Sequence, residues 1–559
     1  MRRFPSFPAV VPKFIPLAFF LCIIVKDAWL SDDAYITFRT VDNFVHGYGL
    51  TWNSDERVQT YTHPLWMFLI SALYFCTHEV YYSVLLLSIT ISFVAVGIYA
   101  VYIARSFPMA LVGIVVLAAS KSYVDYSTSG LENPLTHLLI ILFVLIYFSA
   151  QRNTRSLFWL ALIAALATLN RMDTLLLFIP PLLYLLYRYQ KLASVKAILL
   201  GFLPFLLWEI FSLWYYGFLF PNTAYAKLDT GISSVQLFQQ GIGYLASSFR
   251  FDPILFFVMA ASFFLTLSFR EWRNIPFLVG IGLYMLYTVR VGGDFMAGRF
   301  LTAPFLVAVL LLTRGSYLPL KWVWVAGLAV GVLCGLLTPN SRWYPINTSH
   351  VIIDTRGVAD ERAFYSATSI FNTRRNPYSP SVRWTEDGLH ARISHRKVAV
   401  EANIGFFGFA AGPFVHVVDP RALGDPLLAR LPANSGWRIG HFTRRIPDGY
   451  LETLETGSNV IQDKDLALYY DKLRYVTRGP LFDMGRLIEI WRLNTGAYDY
   501  LLSAYNTNHP VTHVQVIGVL DKELNCCVYC LYYIIHRSIQ IQELFRSSCC
   551  VRRLTVMYE

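Results

Sequence analysis

From Phe14 to Leu337 the chain is a succession of long apolar runs broken by short polar loops. Such runs are stable inside a large core or in lipid. In lipid every backbone N–H and C=O must be paired within its own segment, so an open chain crosses only as helices. The runs predict spanning helices at 14–30, 83–104, 107–119, 134–150, 157–169, 174–187, 197–216, 254–269, 276–289, 300–313 and 322–337. Composition agrees. The chain is 55% hydrophobic and 15% charged, whereas a soluble domain carries about 25% charged residues. An ordinary cytosolic enzyme and a disordered chain are both excluded. From Thr338 to about Tyr505 the composition becomes that of a soluble domain. The expected fold is an α-helical polytopic membrane protein with about eleven transmembrane helices in residues 1–337, followed by a mixed α/β extracytoplasmic domain at 338–505.

The net charge of +11 fits either a nucleic-acid binder or a membrane protein with cationic inner loops. Placement decides between them. With Arg2, Arg3 and Lys13 assigned to the cytoplasm, the alternating inside loops hold Arg105, Arg152, Arg155, Arg188, Lys191, Lys196, Arg270, Arg273, Arg314 and Lys321, with Glu271 as their one acid. The outside loops receive Asp32, Asp33, Asp42, Asp55, Glu56, Asp125, Glu132, Asp173, Asp229, Asp252 and Asp294. The cations flank spans, so nucleic acid is not an expected partner and membrane lipids are. A multi-pass protein of the cell inner (plasma) membrane is expected, with its C-terminal domain outside. Segment 64–77 is apolar but short. If it crossed, every later loop would flip, so it reads as a helix lying in the outer interface of the first outer loop, 31–82.

Ionisable residues gather in those outer loops, and polar groups at one membrane face mark a candidate site. Asp32 and Asp33 follow the first span. Adjacent acids repel, which raises one pKa and suits a general base; acids at a helix N-terminus are the bland alternative. Arg39, Gly47-Tyr48-Gly49-Leu50 and His63-Pro64 continue the same long loop. The next outer segments carry Ser129-Gly130-Leu131-Glu132, Arg171-Met172-Asp173, Pro221-Asn222-Thr223 through Lys227, and Gly292-Gly293-Asp294 through Gly298-Arg299. Lys and Arg suit a phosphate, as a point charge and as a planar fork respectively. Turns and helix caps explain the same residues structurally. Acids and cations together at the outer face suit an anionic, lipid-linked substrate.

In this order the motifs resemble the GT-C superfamily of polyprenyl-phosphate-dependent glycosyltransferases, and most of all the mycobacterial terminal arabinofuranosyltransferase family, from Asp32 to about Tyr500. The resemblance implies a transfer of arabinofuranose or a similar sugar from a polyprenyl-phosphate donor to an envelope glycan or glycolipid. It implies that Asp32 or Asp33 is the catalytic base, Asp32 being preferred as the first of the pair. Arg171, Lys227 and Arg299 become candidates for the donor phosphate. Arg39, His63, Glu132, Asn222 and Asp294 become candidates for other substrate contacts. The chain departs from the pattern at Arg171-Met172-Asp173, where many relatives have Arg-Pro-Glu. No cofactor is implied, and no His/carboxylate cluster argues for a metal. The rival readings are an oligosaccharide ligase or polymerase with a diphosphate-linked donor, and a polytopic lipid or sugar transporter. Transporters keep their polar groups near the midplane, often in inverted repeats.

In the outer domain Gly405, Gly408 and Gly412 are loosely like a nucleotide loop, but the spacing is wrong, and close packing explains them better. The family likeness continues through Val418-Asp419-Pro420, Asp425-Pro426 and Gly440-His441, which implies a role in binding acceptor glycan. Residues 506–559 hold Cys526, Cys527, Cys530, Cys549 and Cys550 without a standard zinc spacing. This Cys-rich tail reads as a shifted reading frame or an unrelated extension.

Overall fold

The computed structural model describes residues 13–149, 153–189, 191–315, 353–372 and 382–509, with Ala329 and Leu333 besides. The run expected at 322–337 and the tail beyond His509 lie outside these residues, those two positions excepted. The described chain is mostly helical. Two three-residue strands, Val398–Val400 and His416–Val418, pair in parallel with Ala399 opposite Val417.

The apolar runs form helices at Phe14–Lys26, Tyr81–Ile98, Phe107–Ala119, Asn133–Ser149, Thr154–Asn170, Leu175–Tyr189, Leu192–Gly201, Leu203–Tyr215, Ile254–Ser268, Ile275–Arg290 and Thr302–Arg314. Pro108, Pro204 and Pro276 sit in first turns, where the missing N–H costs nothing. Among the described residues, one continuous helix, Tyr81–Ile103, is long and apolar enough to cross a membrane. Two bent pairs reach that length together: Leu192–Gly201 with Leu203–Tyr215, bent by 49°, and Ser234–Phe251 with Ile254–Ser268, bent by 104°. The first bend falls just before Pro204 and the second at Asp252-Pro253, as expected where proline interrupts the hydrogen-bond ladder. Leu183, Leu199, Leu206, Ile210, Phe257, Phe264 and Leu286 stand exposed on these helices, so their apolar faces have no partner among the described residues.

Segment 64–77 is a helix, Pro64–Thr77, packed on Asp32–Val45 and Thr154–Asn170. Of the helices outside the predicted runs, one stands out. Ser234–Phe251, treated above as loop, is an amphipathic helix that buries Gly241, Tyr244, Ser247, Ser248 and Phe251 at intervals of three and four. Its three glutamines and three serines lower the hydropathy that marks the other helices.

The described residues of the C-terminal half do not pack alone. One hydrophobic core joins Val417, Leu427, Leu466, Tyr469 and Leu473 to Ile36 and Trp52 of segment 31–82 and to Ala226. Arg486 reinforces the junction. Its guanidinium donates to the carbonyls of Trp214 and Tyr215, the exposed acceptors at the end of Leu203–Tyr215.

Candidate active site

The helix Asp32–Val45 organises the site. Ser31 caps it, its hydroxyl accepting from Ala34 N–H at 3.3 Å. One face carries Asp32, Tyr35, Arg39 and Asn43; another carries Asp33 and Thr37, four residues apart.

The first face is bound to the helix Ile404–Ala411. Both carboxylate oxygens of Asp32 accept backbone N–H groups at its start, from Gly405 at 3.1 Å and Phe406 at 2.8 Å. Gly405 is required, because a Cβ there would lie 1.8 Å from the Asp32 carbonyl oxygen. Tyr35 packs against Phe406 and Phe409. Arg39, fully buried, donates to the carbonyls of Trp52, Gly408 and Val415 and to Asn53. Gly405 and Gly408 thus sit at close helix contacts. Burial pushes the Asp32 carboxyl up to about 7, opposed by the two backbone bonds and reinforced by Asp33.

The second face is open chemistry. Asp33 is half-buried and its carboxylate accepts no hydrogen bond from the described residues. Burial raises its pKa, Lys227 and Arg299 pull it down, Asp294 raises it and Arg421 lowers it; the sum is a shift above the ordinary value. One turn on, Thr37 Oγ1 meets His63 Nε2 at 2.9 Å. His63 in turn lies 3.5 Å from Glu132. Burial holds His63 down at about 4, so its ring is neutral near pH 7.

Glu132 is the hub. Arg299 Nη2 donates to both its oxygens, at 3.0 and 3.2 Å, and Arg171 to one, at 3.4 Å. Burial alone would raise its pKa, but Arg299, His63 and Arg171 outweigh this and hold it at about 2. Arg171 is also engaged by Asp173 at 2.8–3.1 Å and lies over the Phe300 ring, and Tyr284 donates to the same Asp173. Arg299 also faces Asp294 at 3.6 Å. The segment 128–132 is brought here by its backbone. Ser31 N–H donates to the Ser129 carbonyl, and Gly130, at φ +80°, lies where a Cβ would strike Ala34 and Leu30.

The structure therefore gathers Asp33, His63, Glu132, Arg171, Asp173, Asp294, Arg299 and Lys227. Asn222 stands apart, donating to the carbonyls of Ala422, Leu423 and Asp425 and accepting from Arg430. Lys227 forms no ion pair with the described residues; its Nζ lies 5.8 Å from the Phe295 ring. Sequence reasoning missed Glu361, Arg421 and Arg438. Glu361 is buried, and burial with Asp33 and Asp294 nearby pushes its carboxyl well above the ordinary value. Arg421 lies within electrostatic reach of both Asp32 and Asp33. The likeness read at 418–426 and at Gly440-His441 does not single out these arginines. Among the described residues no group of three or more His, Cys, Asp or Glu is placed to hold a metal ion. The arrangement offers a half-buried carboxylate free to take a proton, set among cations able to meet an anion.

The chain as a whole has relatives among known proteins. The chain is 26% identical to the terminal beta-(1->2)-arabinofuranosyltransferase of Mycobacterium tuberculosis, over 75% of its own length and 81% of that protein. It resembles the terminal arabinofuranosyltransferases. A second relative of that name, from Corynebacterium glutamicum, is 25% identical over 74% of this chain and 72% of its own. No protein-family profile matches the chain.

Proposed function

We propose that this protein is an integral-membrane glycosyltransferase that moves arabinofuranose or a similar sugar from a polyprenyl-phosphate donor to an envelope glycan or glycolipid. The names of its relatives support the sugar. The unpaired Asp33 carboxylate beside Lys227 carries the mechanism. The acceptor hydroxyl attacks the anomeric carbon, its proton passes to Asp33, and the bond from that carbon to the phosphate oxygen breaks with its electron pair left on the phosphate. A single displacement of this kind inverts the anomeric centre. Asp32 is the weaker candidate for base, since both its oxygens already cap Ile404–Ala411. Of the three cations first considered for the phosphate, Arg171 and Arg299 are committed to Asp173 and Glu132, which leaves Lys227. His63, Glu132 and Asp294 then act by setting the position and charge of Arg171 and Arg299.

We place residues 1–337 in the inner membrane as about eleven spans, with the N-terminus cytoplasmic and Asp33 at the outer face. The sorting of cations and acids among loops and the exposed apolar helix faces support this. The test compares Asp33→Asn with Asp32→Asn in purified full-length protein, with a synthetic polyprenyl-phosphate sugar as donor. Asp33→Asn should lower kcat by about a thousandfold or more at unchanged thermal stability, in line with loss of a general base. Asp32→Asn should mainly lower stability. Full transfer by Asp33→Asn would overturn the mechanism.

A further inference from the structure

Once the ion pairs of the site are assigned, three cations in reach of His441 remain, two of them beside Phe295. Lys227 Nζ and Arg438 Cζ each lie 5.8 Å from the centre of its ring. The His441 ring meets it edge-on at 4.4 Å. Arg438 and His441 are set by a tight turn in which His441 N–H donates to the Arg438 carbonyl at 2.9 Å. Gly440 makes that turn possible, at φ +72°, where a Cβ would come 2.4 Å from Phe295. Arg438 Nε donates to the Gly357 carbonyl at 2.7 Å, while its Nη2 is buried with no partner among the described residues. Arg421, held by Asn403 Oδ1 at 2.9 Å, is the third cation, within electrostatic reach of His441.

The electrostatics agree with this placement. Burial, then Arg421, Arg438 and Lys227, hold His441 at about 2, so it stays neutral and adds no charge of its own. The acids facing the group are Asp32, Asp33, Asp294, Asp354 and Glu361. The Asp32 carboxylate is spent on Gly405 and Phe406, and that of Asp354 on the N–H groups of Arg356 and Val358. Asp294 lies against Arg299, and Glu361 is held well above the ordinary carboxyl range. The three cations are therefore less neutralised than Arg171 and Arg299.

We propose that Lys227, Arg421 and Arg438, grouped about Phe295 and His441, form the seat of a phosphate group, that of the polyprenyl-phosphate donor. The assignment rests on the glycosyltransferase reading above and adds Arg421 and Arg438 to its machinery. The phosphate gains a negative charge as its bond to the sugar breaks, so cations here stabilise the leaving group as well as the bound donor. The seat also lies within electrostatic reach of Asp33, so donor phosphate and base belong to one site.

Binding of farnesyl phosphate, farnesol and inorganic phosphate to the full-length protein in detergent tests this, alongside transfer from the sugar donor. Farnesyl phosphate should bind and farnesol should not. Lys227→Met and Arg421→Gln should each weaken farnesyl phosphate by about tenfold or more, and raise KM for the donor. Arg438→Lys should bind better than Arg438→Gln. Should Arg438→Gln fail to fold, the Lys227→Met/Arg421→Gln pair carries the test, with thermal unfolding as the check on folding. Wild-type affinity in that double variant would overturn the seat while leaving the enzyme reading intact. Absence of both transfer and farnesyl phosphate binding in the wild type would overturn the enzyme reading itself. Equal affinity for inorganic and farnesyl phosphate, lost in the same variants, would support the seat and assign it to free phosphate.

Discussion

Asp32 and Asp33 are chemically identical neighbours, but successive residues on an α-helix point about 100° apart. That rotation turns one carboxylate to the N-terminus of Ile404–Ala411 and the other toward Lys227 and Arg299. The raised pKa of Asp33 sets an expectation for pH dependence. The base must be ionised, so kcat/KM should fall as pH drops through its pKa, with a limb above the ordinary carboxylate value of 3.8. A pH–rate profile measures this, and a limb at or below that value would remove Asp33 from the role. Glu132 is the other telling residue. Glu132→Gln leaves Arg171 and Arg299 buried without their shared partner. Breaking a buried pair costs about 3–5 kcal/mol, and here the lower end is expected because Asp173 and Asp294 still contact the two arginines. A lowered thermal midpoint is the readout; Glu132→Gln with wild-type stability would show that the network contributes little.

At the scale of elements, two glycines separate close approach from mere helix composition. Gly405→Ala drives a methyl group onto the Asp32 backbone and should abolish folding or transfer. Gly97, inside Tyr81–Ile98, has nothing within 4 Å of the equivalent position. Gly97→Ala should be neutral or stabilising by up to about 1 kcal/mol, the helix-propensity difference. Thermal unfolding and transfer assays of the two variants check both. The helices from the apolar runs were legible because a continuous apolar stretch needs no tertiary information. Ser234–Phe251 was not, since its polar residues mask a buried stripe that only its neighbours reveal.

At the scale of the whole molecule, a polar cluster ties segment 31–82 to the C-terminal half. His416 Nδ1 meets Asp55 at 2.9 Å, and Arg478 contacts both Asp55 at 3.0 Å and Glu56 at 3.3 Å. Burial opposes the charge on His416, but Asp55 and Glu56 outweigh it and raise its pKa above 6.5. Its contribution to stability is therefore full below 6.5 and is lost as pH rises through the raised value. For Asp55, burial raises the pKa, while His416 and Arg478 bring it to about 2 from 3.8. Its contribution is present above 3.8 and is lost as pH falls toward 2. Unfolding midpoints measured across pH should fall at both ends, and His416→Gln should remove the alkaline loss and shrink the acid one.

The sequence by itself determined that residues 14–315 are a train of apolar helices with acids, glycines and cations in the loops between them. Runs of apolar side chains and prolines in first turns act locally, through backbone pairing and solvation. It also placed Asp32, Asp33, Glu132 and Arg299 among the candidates. Only the tertiary structure decided which of two adjacent aspartates is spent on capping, since the helix that claims Asp32 begins 372 residues later at Ile404. It also decided that Arg171 and Arg299 are already matched by acids, and that Arg421 and Arg438 arrive beside Lys227 from the other half of the chain. Burial and charge pairing depend on which distant segments pack together, and no local pattern encodes that.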